Sequence, residues 1–111
     1  MREQPQHTLH VYLRACELLR AVIAAQIADA GLRKQAVTAA QSVCLNTAEA
    51  AGRVTRADKA RAFTIARGEC VEACAAVEIA CISGTATEAA HQAVAGISSE
   101  VYAMLTALIR R

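Results

Sequence analysis

The sequence predicts an all-α protein, an antiparallel up-down-up-down four-helix bundle, and two observations carry this prediction. Alanine supplies much of the 55% apolar content and aromatic residues only 3%, a composition that favours helix over strand. Apolar residues also recur at three- and four-residue steps along four segments, the spacing of one helical face. Because the connections between these segments are short, neighbouring helices must run in opposite directions. The 111 residues fit a single domain, residues 1–111.

The first helix is predicted from about Pro5–Thr8 to Asp29, and Asp29–Ala30–Gly31 is its predicted stop. It carries two adjoining apolar stripes, which is more than a helix with one buried contact needs, so the second stripe is available for assembly. The first stripe consists of Leu9, Tyr12, Cys16, Leu19, Ile23 and Ile27. The second stripe consists of Val11, Ala15, Leu18, Val22 and Ala25.

Three further helices follow at regular intervals. The second is predicted over about residues 33–52, where it presents a seam of small residues, and the third over about residues 55–82. Thr55 is the predicted N-cap of the third helix, and Ser83–Gly84 is its stop. Thr85-Ala86-Thr87-Glu88 is a capping-box pattern for the fourth helix.

Composition also indicates a compartment. No apolar run reaches the roughly 20 residues that cross a bilayer, and the polar N-terminus is not followed by a signal-peptide core. The five cysteines are odd in number and suit free thiols in a reducing compartment. We therefore expect a cytoplasmic protein without membrane association.

The sequence predicts neither an enzyme nor a cofactor or metal site. The histidines lie far along the chain from the cysteines, so no thiol has a nearby base, and Glu88 with His91 supplies one Glu-x-x-His motif where a di-iron bundle needs two. Cys70, Cys74 and Cys81 share a helical face of a kind that can hold copper(I). Cysteine is equally common as a buried core residue, so thiol-based metal binding remains an alternative.

Positive charge is concentrated in residues 53–67. The segment contains five cations against the single acid Asp58, a net charge of +4. The cations are Arg53, Arg56, Lys59, Arg61 and Arg67. Such a cluster at a helix–helix corner suits phosphate binding, although an ordinary solvated turn explains the same pattern. With few aromatic residues for base stacking, we expect any RNA or DNA contact to be salt-sensitive.

Two motifs resemble those of a known family. Ser42-Val43-Cys44-Leu45-Asn46-Thr47-Ala48-Glu49-Ala50-Ala51-Gly52-Arg53 is similar to Ser-Ile-x-x-Asn-Ile-Ala-Glu-Gly-x-Gly-Arg of the bacterial four-helix-bundle proteins, also called 23S ribosomal RNA intervening-sequence proteins. Ile65-Ala66-Arg67-Gly68-Glu69-Cys70-Val71-Glu72 resembles their second motif, Ile-Ala-x-Gly-Ser-x-x-Glu. Thr47, Ala50 and Glu69 replace the family's isoleucine, glycine and serine.

This resemblance implies a bundle that assembles into a homopentamer, related to the basic accessory protein of diversity-generating retroelements. It also implies that the motif glycine, Gly68, opens a close helix contact, and it brings no catalytic residues. The oligomer would contact RNA, DNA or a nucleoprotein partner through the Arg53–Arg67 segment. The alternative is a purely structural or protein-interaction bundle without nucleic-acid binding.

The polar motif residues have a physical reading of their own. Asn46, Glu49, Arg53 and Glu72 lie on the second and third helices, which a short turn joins, and Arg67 lies nearby in sequence. We expect them to form a structural polar network across this helix pair, because an unpaired buried charge is costly. A ligand or partner contact is the alternative.

Overall fold

The computed structural model describes residues 5–111, and of His7 and Thr8 the backbone only. Residues 1–4, which carry the polar start used to argue against a signal peptide, lie outside this part. A short 3-10 helix, Pro5–Thr8, precedes four α-helices, and together they confirm the predicted all-α fold. The helices are α1 (His10–Ala24), α2 (Ala30–Gly52), α3 (Arg56–Ile82) and α4 (Glu88–Ile109).

The helices form a closed antiparallel bundle. Each packs against its neighbours in the chain, and α1 also packs against α4. The Ala28 N–H donates to the Thr85 carbonyl at 2.9 Å, which joins the α1–α2 connection to the α3–α4 connection at one end. The 27 residues of α3 correspond to roughly 40 Å of helix, close to the 44 Å length of the molecule.

The most extensive helix contact joins α2 and α3, and small side chains line it. Alanines that are buried on both helices let the two backbones approach closely. They are Ala36, Ala39, Ala40 and Ala50 on α2, and Ala62, Ala66, Ala73, Ala76 and Ala80 on α3. The predicted seam of α2 is thus confirmed in its central part, where Val43 and Thr47 complete the buried row.

On α1 the structure reverses the predicted roles of the two stripes. The second stripe, which we assigned to assembly, is the one in the core: Val11, Ala15, Leu18, Val22 and Ala25 are all buried. The first stripe is partly exposed along the helix, and Ile23 is 57% exposed. Both stripes are apolar, so helical spacing alone does not tell which one faces the other helices.

The end of α1 also differs from the prediction. The helix ends at Ala24, and Gln26 makes the turn with a φ of 46°, a left-handed conformation that the prediction reserved for glycine. Asp29 begins α2 instead of ending α1, because its carboxylate accepts from the Leu32 N–H at 2.8 Å. Ala30 and Gly31 then form the first turn of α2.

In the connection between α3 and α4, Gly84 ends α3 as predicted. The N-cap of α4, however, is a different threonine from the one that the capping-box pattern predicts. Gly84 adopts a φ of 82°, which favours glycine. The N-cap of α4 is Thr87, whose hydroxyl accepts from the Ala90 N–H at 3.0 Å. Thr85 donates its hydroxyl to the Ala80 carbonyl and so closes the end of α3. The predicted Thr55 cap of α3 is confirmed by a 3.1 Å bond from the Asp58 N–H.

The helix α4 departs from the expectation that no segment resembles a membrane span. Within residues 5–111 it is the one helix long and apolar enough to cross a membrane by length and composition. A core helix of a soluble protein passes the same test, and α4 buries Val94, Ser98, Val101 and Leu105 in the bundle.

We predict that truncating the two α1 stripes will have unequal effects. Leu18→Ala should lower the free energy of unfolding by about 2–5 kcal/mol, or unfold the chain, because it leaves a cavity in the core. Ile23→Ala should cost less than about 1 kcal/mol, because the side chain is largely solvated. Urea denaturation of both variants measures the difference. Equal losses would contradict the observed assignment of the stripes.

Candidate nucleic-acid interface

Six cations gather at one end of the bundle, where the α2–α3 turn lies beside the last residues of α4. We call this surface the basic end: Arg53, Arg56, Lys59, Arg61, Arg110 and Arg111. A groove at this end brings Arg56 and Lys59 of α3 together with Arg111, over an apolar floor that includes Phe63 and Leu108. No acidic side chain is among the residues that line the groove within the described part of the chain.

Two of the predicted binding residues have structural partners here. The Lys59 ammonium donates to the Ala50 carbonyl at 3.1 Å and so closes the end of α2. Arg53, the C-cap of α2, donates to Glu49 one turn earlier, and this bond raises the pKa of the arginine. Their charge remains at the basic end, but part of each side chain's bonding capacity is already used.

Arg56 and Arg61 are better placed to bind a ligand. Both are exposed, and within residues 5–111 neither forms a hydrogen bond or an ion pair. Arg61 lines a cleft with Arg53, and the acids Glu49 and Asp58 lie in the same cleft. Arg56 lines the acid-free groove described above. The guanidinium of Arg56 is therefore the most available predicted cation.

Arg67 does not belong to the basic end. Its Nη1 donates to the Thr106 hydroxyl at 3.2 Å, and its guanidinium carbon lies 5.5 Å from the centre of the Tyr102 ring. Both partners are on α4, so this arginine joins α3 to α4 by a hydrogen bond and a cation–π contact. Its position, about 16 Å along α3 from Arg56, follows from the rise of 1.5 Å per residue. The prediction that Arg67 shares one binding surface with Arg56 is thus corrected.

The sequence reasoning missed Arg110 and Arg111 as members of this surface. In the sequence, two cations at the end of the fourth helix are explained by the negative end of the helix dipole and indicate no binding role by themselves. The predicted antiparallel topology was enough to include both arginines in this surface, because it places the end of the fourth helix beside the turn between the second and third helices.

The predicted polar network across α2 and α3 is replaced by contacts within each helix. Asn46 donates to the Ser42 carbonyl at 2.9 Å and to its hydroxyl at 3.1 Å, and Glu49 pairs with Arg53. Glu72 is exposed on α3 next to Glu69, whose pKa is raised by burial and by that neighbouring charge. None of these side chains is buried, so none needs a partner on the other helix.

Of the three cysteines that share a face of α3, Cys81 has different neighbours from Cys70 and Cys74. Cys70 is buried, and its sulfur lies 3.3 Å from the Ser98 hydroxyl on α4. Burial raises the pKa of both the Cys70 and the Cys74 thiols. Cys81 points instead to Glu88, 3.2 Å away. Cys70 and Cys74 thus share Ser98 as a neighbour, whereas the Cys81 sulfur lies apart from both.

Comparison with known proteins identifies the family. The chain matches the family described as 23S rRNA-intervening sequence protein over residues 7–107. The protein belongs to this family. Its fold is similar to that of a crystal structure of a protein of unknown function from the S23 ribosomal protein family of Bacteroides thetaiotaomicron, with a TM-score of 0.82 and 20% identity over 97% of this chain and 100% of the other. No curated protein is significantly similar in sequence to this chain.

Two motif positions of this intervening-sequence protein differ from what the resemblance implied. Gly68 is exposed, and a Cβ atom at this position would meet nothing within 4 Å, so it opens no close contact inside the bundle. Thr47 is fully buried where the family has isoleucine, and its hydroxyl donates to the Val43 and Cys44 carbonyls at 3.0 and 2.9 Å. The backbone of the same helix therefore satisfies the buried hydroxyl.

We predict that alanine substitution will destabilise the protein at Arg67 but not at Arg61. Arg67→Ala should lower the free energy of unfolding by about 1 kcal/mol, because it removes a hydrogen bond and a cation–π contact between two helices. Arg61→Ala should change it by less than about 0.5 kcal/mol, because the side chain is exposed. Thermal unfolding followed by circular dichroism tests both. A stable Arg67→Ala variant would return Arg67 to the candidate binding residues.

Proposed function

We propose that this protein is a non-enzymatic, oligomeric module of the cytoplasm that contacts the phosphate backbone of nucleic acid, alone or in a nucleoprotein, through its basic end. The observation that carries the proposal is the groove in which Arg56, Lys59 and Arg111 converge from two helices without an acidic neighbour. A polyanion placed there would meet three cations at once, whereas the two acids of the basic end lie in the adjacent cleft.

The charge distribution of the whole chain supports the same orientation. Residues 68–109 contain five glutamates and no lysine or arginine. The α3–α4 hairpin away from the basic end is therefore negative, and this surface would repel a polyanion.

The kind of cation indicates the kind of contact. Five of the six cations at the basic end are arginines, whose planar fork can bond two phosphate oxygens at once. Among the described residues that line the groove, Phe63 is the only aromatic residue, and it is buried. We therefore propose contacts to phosphate that position the protein and carry little sequence information. The family's description refers to 23S rRNA, which makes a ribosomal RNA fragment the first ligand to test.

We predict that the double variant Arg56→Ala/Arg111→Ala will bind RNA and DNA more weakly and with a shallower salt dependence. Each lost phosphate contact should reduce the slope of log affinity against log salt by about 1. The matched control is Arg20→Ala/Lys34→Ala, which removes two exposed cations far from the basic end and the same total charge. Filter-binding titrations at several salt concentrations measure both slopes.

The outcomes separate the possibilities clearly. A reduced slope in the first variant alone supports the basic end as the interface. Equal reductions in both variants would mean that only net charge matters. No binding by the wild type at low salt would reject nucleic-acid contact and leave the protein-interaction bundle as the function.

Assembly is the second part of the proposal. Among the described residues, more leucines and isoleucines are exposed than are fully buried, which leaves apolar area for another copy of the chain. The exposed ones are Leu13, Ile23, Leu45, Ile65, Ile79 and Ile82, and the fully buried ones are Leu18, Ile27 and Leu105. Exposed Gly68 lies one turn from Ile65 on α3, where it would let a partner helix approach closely.

We propose that the α1–α2 side of one subunit packs on the α3–α4 side of the next, as a closed ring requires two different faces. The family resemblance suggests a pentamer. On the first side Leu45 is 71% exposed beside the half-buried Leu19, and on the second Val71 and Tyr102 line a shallow apolar depression.

We predict that Leu45→Glu and Val71→Glu will each lower the oligomer mass, because either charge would be buried at the shared interface. Val54→Glu is the control, because Val54 is 92% exposed at the α2–α3 turn and lies on neither side. Light scattering coupled to size exclusion gives the mass of each. A wild-type monomer, or unchanged mass in both test variants, would contradict this arrangement.

A further inference from the structure

At the end of the bundle away from the basic end, the α3–α4 turn brings a thiol, a carboxylate and an imidazole together. Cys81 lies in the last turn of α3, whereas Glu88 and His91 occupy the first two turns of α4. One potential ligand atom from each lies within 4.8 Å of the other two. The Cys81 sulfur is 3.2 Å from Glu88 Oε2, and His91 Nδ1 is 3.7 Å from Glu88 Oε1. The fold thus brings Cys81, from the cysteine series of α3, next to the Glu-x-x-His motif at the start of α4.

A fourth side chain orients the imidazole. Glu78 Oε2 lies 3.5 Å from His91 Nε2, the ring nitrogen that faces away from Glu88. A metal-binding histidine commonly donates its second ring N–H to a carboxylate, which fixes the tautomer and makes the ligating nitrogen more basic. Because Nε2 faces Glu78, Nδ1 is the ring nitrogen on the side of Glu88.

Exposure and charge also favour a cation at this place. The His91 side chain is 19% exposed, which restrains the ring, whereas Glu88 is exposed and leaves an open path from solvent. Among the described residues, Glu78 and Glu88 have His91 as their ion-pair partner and no lysine or arginine.

We propose that Cys81, Glu88 and His91 bind a divalent ion of the Zn²⁺ class, with His91 ligating through Nδ1 and Glu78 as its positioning residue. Zinc takes sulfur, nitrogen and oxygen ligands in a tetrahedron at about 2.0–2.3 Å, which places neighbouring ligand atoms about 3.3–3.6 Å apart. The thiol is 3.2 Å from one Glu88 oxygen and the imidazole is 3.7 Å from the other, and all three ligand atoms lie within 4.8 Å of one another, so the side chains must close in by about 1 Å to share one ion. Three protein ligands leave the fourth position to water. The bound ion would fasten the start of α4 to the end of α3.

This site differs from the thiol cluster considered from the sequence. It uses one thiol and two harder ligands, a set that suits zinc better than copper(I). It also lies at the end of the bundle opposite to the basic end. Loss of nucleic-acid binding and loss of metal binding are therefore separable results.

The test uses the full-length, untagged, reduced protein with Zn²⁺ or Co²⁺ as the only added metal. Calorimetry should give one Zn²⁺ per chain, and Co²⁺ should produce a thiolate-to-metal charge-transfer absorption. Cys81→Ser should abolish that absorption, and His91→Ala should abolish binding. Cys74→Ser and His10→Ala are the matched controls on other parts of the surface, and both should bind as the wild type does.

Glu78→Gln tests the positioning residue. We expect one metal per chain with about 10-fold to 100-fold weaker affinity, because the imidazole loses its carboxylate partner. Circular dichroism of every variant checks the fold, and added Zn²⁺ should raise the melting temperature of the wild type but not of Cys81→Ser. Absence of the cobalt absorption in the wild type, or its persistence in Cys81→Ser, would overturn the site. Unchanged affinity in Glu78→Gln would remove the role of Glu78.

Discussion

The close packing of α2 against α3 through alanine is the constraint on which the rest of the molecule depends. Small side chains on both helices allow the two longest elements to run together over most of their length, and this contact is the most extensive in the bundle. A seam of alanines buries little apolar area per residue, so larger side chains from α1 and α4, such as Leu18 and Leu105, must complete the core. Six leucines and isoleucines among the described residues remain exposed, and a second copy of the chain can cover them.

The same constraint keeps charged side chains out of the α2–α3 contact. A carboxylate between two closely packed backbones would lose its hydration without room for a partner, and the motif acids Glu49 and Glu72 are accordingly on the outside. The charged side chains lie on the outer surface instead. Arginines collect where the α2–α3 turn meets the end of α4, and glutamates follow the α3–α4 hairpin. We assign the proposed phosphate site to the first surface and the proposed metal site to the second, and both use residues that the helix core does not.

Signals that act within one turn of helix were readable in the sequence. Thr55 caps α3 and Gly84 ends it because a hydroxyl beside a free N–H and a glycine in a left-handed turn need no distant partner. Where two nearby residues fit the same local signal, the sequence did not determine which of them takes the role. Thr85 and Thr87 are both threonines in a capping context, and only the bond from Thr85 to the Ala80 carbonyl leaves Thr87 as the cap of α4.

The sequence by itself determined the number of helices, their order, their antiparallel arrangement and the family, because apolar spacing, caps and short connections are properties of neighbouring residues. Only the tertiary structure decided which stripe of α1 faces inward, since that depends on the surfaces that the other three helices present. It also assigned Arg67 to Tyr102 and Thr106, and it brought Cys81 to Glu88 and His91. Such side chains belong to different helices, and the distance between them is set by how the helices pack and not by their separation along the chain.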